Sequence, residues 1–505
     1  MGGRTQSDAV LAELLDAAAL SVSAHSPDDL SKIRISSLTA DSRCVTAGSC
    51  FVAVRGEQTD GHAHIDEALR GGAAAIISER EADVPDGVGA VRVRDARSAL
   101  SRLAAAFHGF APGQPYEHMK LTGVTGTNGK TTTCILLRSI LAAAGHPTAL
   151  LGTIRYDLVG ETQPAPWTTP PPAELYRCLA QAAGNGATHA VMEVSSHALA
   201  QTRCDGHRFA AAVFTNLSGD HLDYHKSMHA YAAAKKRLFD MLDRQALAVV
   251  NADDPESEYM LSSCKARQVR FAIETPAQVT AAVESITVGQ SRFVLRTPHG
   301  DTLVSLPLTG RHNIANALAA AAAALSLGIG LDAVGRGLES VDHIPGRLQR
   351  VDSAGRGFNV FVDYAHTDQA LTNVLAALRP FSRRLICVFG CGGDRDRSKR
   401  PRMAAAVGAW ADVAVVTSDN PRWEAPGAII DEIRAGFTPH HRCQVQVEPD
   451  RRRAIQRALD AARPGDTVLV AGKGHEDYQI IRDKRWHFDD VEVVTEALAN
   501  KEVPA

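Results

Sequence analysis

Residues 120–133 read KLTGVTGTNGKTTT. An apolar β-type run ends in Gly126-Thr127-Asn128-Gly129-Lys130-Thr131, and a helical pattern over Cys134–Ala144 follows. Strand, glycine turn and helix together form a phosphate cradle. Backbone N–H groups at the helix start point at the anion, Lys130 brings a mobile positive charge, and Thr131 can hold Mg²⁺. The strict phosphate-loop pattern places a glycine five residues before Gly129, where this chain has Val124, so the loop is a shortened variant. The stretch implies a site for a nucleoside triphosphate inside an α/β fold.

The rest of the chain must supply what that triphosphate acts on. A length of 505 residues suggests about three domains. Hydrophobic content of 45% and charged content of 22% can fill several cores, which argues against disorder. A net charge of −3 gives no electrostatic case for nucleic acid or an anionic membrane, so any phosphate site is local. Asp8, Glu13 and Asp16 interrupt the apolar run of the first twenty residues, so no secretory signal is read there. The alanine-rich Ala315–Leu327 is too short to span a bilayer. Nine scattered cysteines without a Cys-x-x-Cys pair read as buried free thiols in a reducing cytoplasm.

The first segment, residues 1–112, reads as a small α/β unit with strands at Ser49–Arg55 and Ala73–Ser78 and a helix at Ile65–Gly71. Its polar features are Asp41-Ser42-Arg43 and the loop Arg55–His64, which is either a diphosphate site or a solvated loop. Ala111–Pro115 reads as a linker. The second segment, residues 113–342, carries the phosphate loop and the hydroxyl pair Thr168-Thr169. It also has the strand His189–Val194, with Glu193 at its polar end, and the strands Ala211–Thr215 and Ala246–Val250. A carboxylate at a strand end beside a phosphate loop suits Mg²⁺, which favours Glu193 as a ligand over an ordinary strand-end acid. His221 and Asp223 either reach a metal or cap the next helix, Met228–Leu242. Lys235 and Lys236 on that helix read, by themselves, as a solvated face. Residues 267–306 read as short alternating strands forming a β insert. Asn313 and Asn316 share one face at the start of an alanine-rich helix, where they could bond a nucleotide.

The third segment, residues 343–505, alternates strands (Asn359–Val362, Leu385–Phe389, Val413–Thr417, Thr467–Val470) with helical patterns, which predicts a parallel, doubly wound, Rossmann-like sheet. Polar clusters stand at the carboxyl ends of all four strands: Asp363–His366, Gly390–Lys399, Asp419–Arg422 and Gly472–Glu476. Four such ends in one domain predict a binding crevice.

In this order, the pieces resemble the Mur ligases, and most closely the MurE type, which adds the third residue of the peptidoglycan stem peptide. The resemblance runs from Asp41 to about Glu476. It is carried by DSR (Asp41–Arg43), TGTNGKTT (Thr125–Thr132), TTP (Thr168–Pro170), EVSSH (Glu193–His197) and DHLDYH (Asp220–His225), and by AAK (Ala233–Lys235), DYAH (Asp363–His366), DNPR (Asp419–Arg422) and GKGHE (Gly472–Glu476). It implies a substrate domain for a uridine diphosphate sugar, a central ATPase domain with a parallel sheet and a Rossmann-like amino-acid domain. ATP would phosphorylate a carboxylate of UDP-N-acetylmuramoyl-L-alanyl-D-glutamate, and an amino acid would attack the acyl phosphate. The implied cofactor is Mg²⁺, with ATP as co-substrate. The implied protein is cytoplasmic and monomeric, without nucleic-acid partner or membrane segment.

Residue by residue, the resemblance implies catalytic roles for Lys130, Glu193, His221 and Lys235, with magnesium held by Thr131, Glu193, His221 and a carbamylated Lys235. That replaces the solvated-face reading for Lys235 and leaves it for Lys236. ATP would meet Gly126, Thr127, Asn128, Gly129, Lys130, Thr131, Thr132, Asn313, Arg347 and Asp363. Ser42 and the Arg55–His64 loop would meet the uridine diphosphate end, and Thr168, Thr169, Ser195, Gln201 and Arg203 the muramoyl-peptide portion. The Arg of DNPR marks relatives that add diaminopimelate; lysine-adding relatives lack it. Arg422 can grip the distal carboxylate of diaminopimelate through two parallel bonds, and lysine would leave it unpaired. Arg395, Asp419, Asn420, Gly472 and Glu476 match the rest of that pocket, Glu476 suiting the distal ammonium. Departures from the pattern are Asp368, His312, Gly219 and Trp167. Two other readings remain: a ligase like folylpolyglutamate or cyanophycin synthetase, or a non-ligating nucleotide-binding protein.

Overall fold

Three large sheets stand in chain order, with two two-stranded pairs beside them, in the computed structural model, which describes residues 8–21, 23–24, 29–56 and 59–499. Glu57 and Gln58 of the Arg55–His64 loop, residues 1–7 and residues 500–505 lie outside the described residues. The first sheet has five strands. Ser37–Thr39, Ser49–Val52, Ala75–Ser78 and Gly89–Arg92 run parallel, and Ser23–Ala24 closes the edge antiparallel. The strand expected to reach Arg55 stops at Val52.

The second sheet has eleven strands, with Lys120–Thr125 between His189–Glu193 and Phe209–Phe214, all three parallel. These central strands are buried on both faces, which is why they read as unbroken apolar runs. Residues 267–306 are no separate insert: Arg267–Ala272 pairs parallel with Leu247–Asn251, and three further strands extend the same sheet to Gly300–Leu306. One face is covered by the helices Lys130–Ala143, Arg311–Ser326 and Leu331–Glu339. Ala317 and Ala319–Ala324 are fully buried there, so the alanine run is core against the sheet.

The opposite face shares its core with the first unit. Phe110 and Ala111 are buried, and the Phe110 ring lies 5.8 Å from that of Tyr176, so the expected linker begins as a packed joint. The third sheet is ordered Gln349–Val351, Asn359–Asp363, Thr467–Ala471, Leu385–Phe389, Val413–Val416 and Gln444–Val447, parallel except for the first strand. Apolar clusters line both of its faces, as doubly wound packing requires. Two elements matter below: the helix Lys399–Trp410, one of the helices expected between the strands, and the hairpin Tyr478–Ile481/Lys484–His487, not anticipated in the sequence.

Candidate active site

The helix after the phosphate loop begins at Lys130, a full turn before the apolar pattern suggested. Three consecutive β-branched residues disfavour a helix by themselves, but two of their hydroxyls are engaged outside it. Thr131 Oγ1 donates to Glu193 Oε1 (2.9 Å) and Thr133 Oγ1 to Asn316 Oδ1 (3.5 Å). Gly129 stands at the helix entry with φ +86°, and a Cβ there would lie 2.2 Å from Asn316 Oδ1. Gly126 is equally confined, its imagined Cβ falling 1.9 Å from Thr215 Oγ1. Both glycines therefore hold the backbone close to its neighbours. The N–H groups of Thr127 and Asn128 donate to Asn216 (2.8 and 3.0 Å), and the helix start, whose first N–H groups have no helical partner, lines a cavity of about 580 Å³.

That cavity lies between the second and third units. Thr127–Thr132, Glu193, His221, Lys235 and Asn313 line it from one side, and Arg347, Asp363, Tyr364 and His366 from the other. Thr168 and Ser195 reach its wall, whereas Ser42, Thr169, Gln201 and Arg203 do not. Glu193 is held from three directions: besides Thr131, Thr153 donates through its N–H (2.8 Å) and its hydroxyl (3.0 Å). Thr153 carried no motif and was not anticipated. Lys130 Nζ donates to the carbonyls of Gly126 (2.9 Å) and Thr127 (2.8 Å), and Lys235 Nζ to that of Gly126 (2.8 Å). Burial pushes the Lys130 ammonium below its ordinary value, while Glu193 and Asp220 act against that shift. The fully buried Lys235 is pushed well below its own, by burial first and then by Lys130. Tyr231, also unanticipated, places its ring 4.4 Å from Lys235 Nζ and its hydroxyl 3.2 Å from Thr127 Oγ1.

Lys236 is not on a solvated face: its side chain is 12% exposed and pairs with Asp240 at 2.5 Å. The cap of the helix Met228–Asp240 is Ser227, not His221 or Asp223. His221 adopts left-handed backbone (φ +55°), a strained conformation of the kind concentrated at functional sites. Among the described residues no three His, Cys, Asp or Glu side chains converge as a metal cluster. The groups bonded to Glu193 are instead the Thr131 and Thr153 hydroxyls and the Thr153 N–H, with His221 and Lys235 on the same cavity wall.

Arg347 crosses between the units, donating to Thr131 Oγ1 (3.2 Å) while stacking 4.5 Å from the Tyr364 ring. Asp363 turns both oxygens to backbone N–H groups, of Leu348 (2.6 Å) and Ala365 (2.7 Å). Burial raises its pKa against the pull of Arg347. Asn313 and Asn316 share one helix face and both line the cavity, where Asn316 Nδ2 donates to Asn313 Oδ1 (3.3 Å). The residues assigned to the muramoyl peptide form a bonded cluster. Thr169 Oγ1 donates to the Glu193 carbonyl (2.8 Å), Arg203 donates to the Thr169 carbonyl (2.7 Å), and Arg203 also grips Gln201 Oε1 (2.7 Å). In the first unit Ser42 donates to Glu67 (2.6 Å).

The residues expected around the amino acid form a second group, outside that cavity. Asn420 Nδ2 donates to Glu476 Oε2 (2.9 Å), and the fully buried Lys473 comes within 3.3 Å of the same oxygen. Arg422 donates to the Gly393 carbonyl (2.9 Å), and Arg395 is exposed on the neighbouring loop. The two groups meet at one strand end: the Asp363 carbonyl accepts from Gly472 N (3.0 Å).

Comparison with known proteins agrees with this architecture. Three family models match: the Mur ligase family catalytic domain over residues 34–108, the Mur ligase middle domain over 124–324 and the Mur ligase glutamate ligase domain over 346–474. The chain belongs to the Mur ligase family. It is 45% identical to the UDP-N-acetylmuramoyl-L-alanyl-D-glutamate–2,6-diaminopimelate ligase of Geobacter metallireducens, over 92% of this chain and 94% of that one. It is 46% identical to the ligase of the same name from Gloeobacter violaceus, over 94% and 96%. A solved structure of a ligase of that name superposes with a TM-score of 0.69 at 33% identity, covering 96% of this chain and 98% of the other. Among the described residues no helix is long and apolar enough to cross a membrane.

Proposed function

We propose that this protein is an ATP-dependent ligase that joins diaminopimelate to the D-glutamate of UDP-N-acetylmuramoyl-L-alanyl-D-glutamate, in peptidoglycan synthesis. The observation that carries the reading is the pairing of two groups across one strand end. A phosphate cradle with Lys130, Thr131 and Glu193 opens beside Asp363, and Asn420, Arg422 and Glu476 gather beyond it. Near-full-length identity to ligases of that name supports it. The three units, divided near residues 112 and 342, would bind the sugar nucleotide, ATP and the amino acid respectively.

Joining two anions is a problem of positioning and charge neutralisation. The backbone N–H groups after Gly129 and the Lys130 ammonium would hold the terminal phosphate, and Arg347 would bring a charge from the third unit. Thr168 and Ser195 on the cavity wall, with Gln201 and Arg203 behind them, would aim the glutamate carboxylate at the phosphorus. The carboxylate oxygen takes the phosphoryl group and ADP leaves. The amine then attacks the acyl carbon, loses a proton and expels phosphate. Thr131 and Glu193 present hard oxygen donors 2.9 Å apart, a fit for Mg²⁺, with His221 and a carbamylated Lys235 completing the set. The ion would supply charge neutralisation on the phosphates. Lys235 gains a carboxylate by carbamylation; intact mass in bicarbonate that shows only the free amine would remove it from the set.

Arg422 would pair with the distal carboxylate of diaminopimelate and Glu476 with the distal ammonium. The experiment is a ligation assay with diaminopimelate and lysine as alternative amines. Phosphate release that requires both the muramoyl dipeptide and diaminopimelate is expected. Release without acceptor, or equal use of lysine, would refute the proposal.

A further inference from the structure

The loops carrying Arg395 and Arg422 leave neighbouring strands of the third sheet and touch backbone to backbone at Gly393. Gly393 N donates to the Asn420 carbonyl (2.9 Å), and a Cβ on Gly393 would fall 2.0 Å from the Pro421 carbonyl. Arg422 itself is strained, with φ +51°. Its backbone is held by the hairpin, through Ile480 O (3.1 Å) and Arg482 N (2.7 Å), and its guanidinium by the Gly393 carbonyl. The Gly393 carbonyl, with the Asn420 carbonyl at 3.4 Å from the same nitrogen, therefore helps to aim Arg422.

One buried side chain ties that carbonyl's loop to the Arg422 loop. Arg400, in the first turn of Lys399–Trp410, is fully buried. Its Nη2 and Nη1 grip both oxygens of Glu424 (2.7 and 2.9 Å), and Nη2 also reaches the Gly392 carbonyl (3.3 Å). Glu424, two residues after Arg422, in turn accepts from Asp394 N (2.6 Å). Behind it Nη1 bonds Glu432 (2.8 Å), anchoring the fork to the helix Pro426–Arg434. Arg400 Nε has no hydrogen-bond partner among the described residues. A buried charge with an idle donor is a poor way to gain stability, and its use here is geometric.

We propose that Arg400 is a positioning residue for amine selection: through Glu424 and Gly392 it sets the distance between the two loops and so aims the Arg422 guanidinium. It touches no substrate. The proposal rests on the reading of Arg422 as the group that takes the distal carboxylate of the incoming amino acid.

The test is steady-state ligation with R400M, R400K, R422A and the double variant R400M/R422A, using a mixture of diaminopimelate stereoisomers, with lysine as the second amine. Misaiming a bidentate clamp should raise the diaminopimelate KM about tenfold in R400M, leave the ATP KM within about twofold, and lower the preference over lysine. R400K should recover part of the loss. The double variant should match R422A, since Arg400 acts through Arg422. If R400M does not fold, E424Q, which keeps Arg400 paired to Glu432, takes its place with the same expectations. A normal diaminopimelate KM in R400M, or equal rises in both KM values, overturns the proposal while a raised KM in R422A leaves the Arg422 reading standing. A normal KM in R422A overturns both.

Discussion

Gly129→Ala tests the confinement of the cradle. Two costs add. Left-handed backbone costs a non-glycine residue about 1–2 kcal/mol, and φ is +86° here. Crowding in a close-packed site costs about 1–3 kcal/mol, and the new methyl would start 2.2 Å from Asn316 Oδ1. The sum is about 2–5 kcal/mol, shared between global stability and displacement of the loop from its phosphate-binding shape. Thermal unfolding and the ATP KM, measured together, capture both shares. A clear fall in Tm is expected, with an ATP KM raised at least about tenfold if as little as 1.4 kcal/mol falls on the loop. Asn316→Ala in the same background should return the steric share. It also gives up the hydrogen bonds to Asn313 (3.3 Å) and Thr133 (3.5 Å), worth about 0.5–1.5 kcal/mol each. The coupling between the two substitutions should therefore be favourable, and the strain share should remain. Wild-type Tm and ATP KM in Gly129→Ala, or additive effects in the pair, would refute the reasoning.

Lys130→Met should abolish ADP formation while diaminopimelate binding, followed by calorimetry, stays unchanged, because Lys130 and Arg422 belong to different side-chain groups. Glu424 gives a pH signature. Its carboxyl is pushed down to about 2 from 4.5, first by the Arg400 hydrogen bonds, with the Asp394 N–H also contributing. A depressed folded pKa means that the unfolded chain takes up its proton first. The stabilisation is full above about pH 4.5 and fades as pH falls toward 2. The Tm difference between wild type and Glu424→Gln should follow that course; a difference that grows as pH falls would contradict it.

The parallel sheets could be read in the chain because their strands are buried on both faces and leave unbroken apolar runs such as His189–Glu193 and Leu385–Phe389. The continuation of the central sheet through Arg267–Leu306 could not, since alternating strands look alike in an insert and in an extension. The early helix start at Lys130 was hidden because the bonds that accommodate its threonines come from Glu193 and Asn316, far along the chain. Of the candidate site, the residues with charge or a glycine turn stood out. Thr153 and Tyr231 did not, because they carry no charge, and Arg400 did not despite its charge, because it belongs to no motif and gains its role only from Glu424 and Gly392.

The sequence by itself determined the local chemistry: a glycine turn between strand and helix, acids and amides at strand ends, and an arginine after Asn420-Pro421. Those are properties of short segments and survive in a one-dimensional reading. Only the tertiary structure decided that Arg347 reaches Thr131 from another unit, that Lys235 is buried against the Gly126 carbonyl while Lys236 bonds Ser263, and that Arg400 fastens two loops together. Each depends on contacts between residues far apart in sequence, where burial and partner, rather than residue type, set what a side chain does.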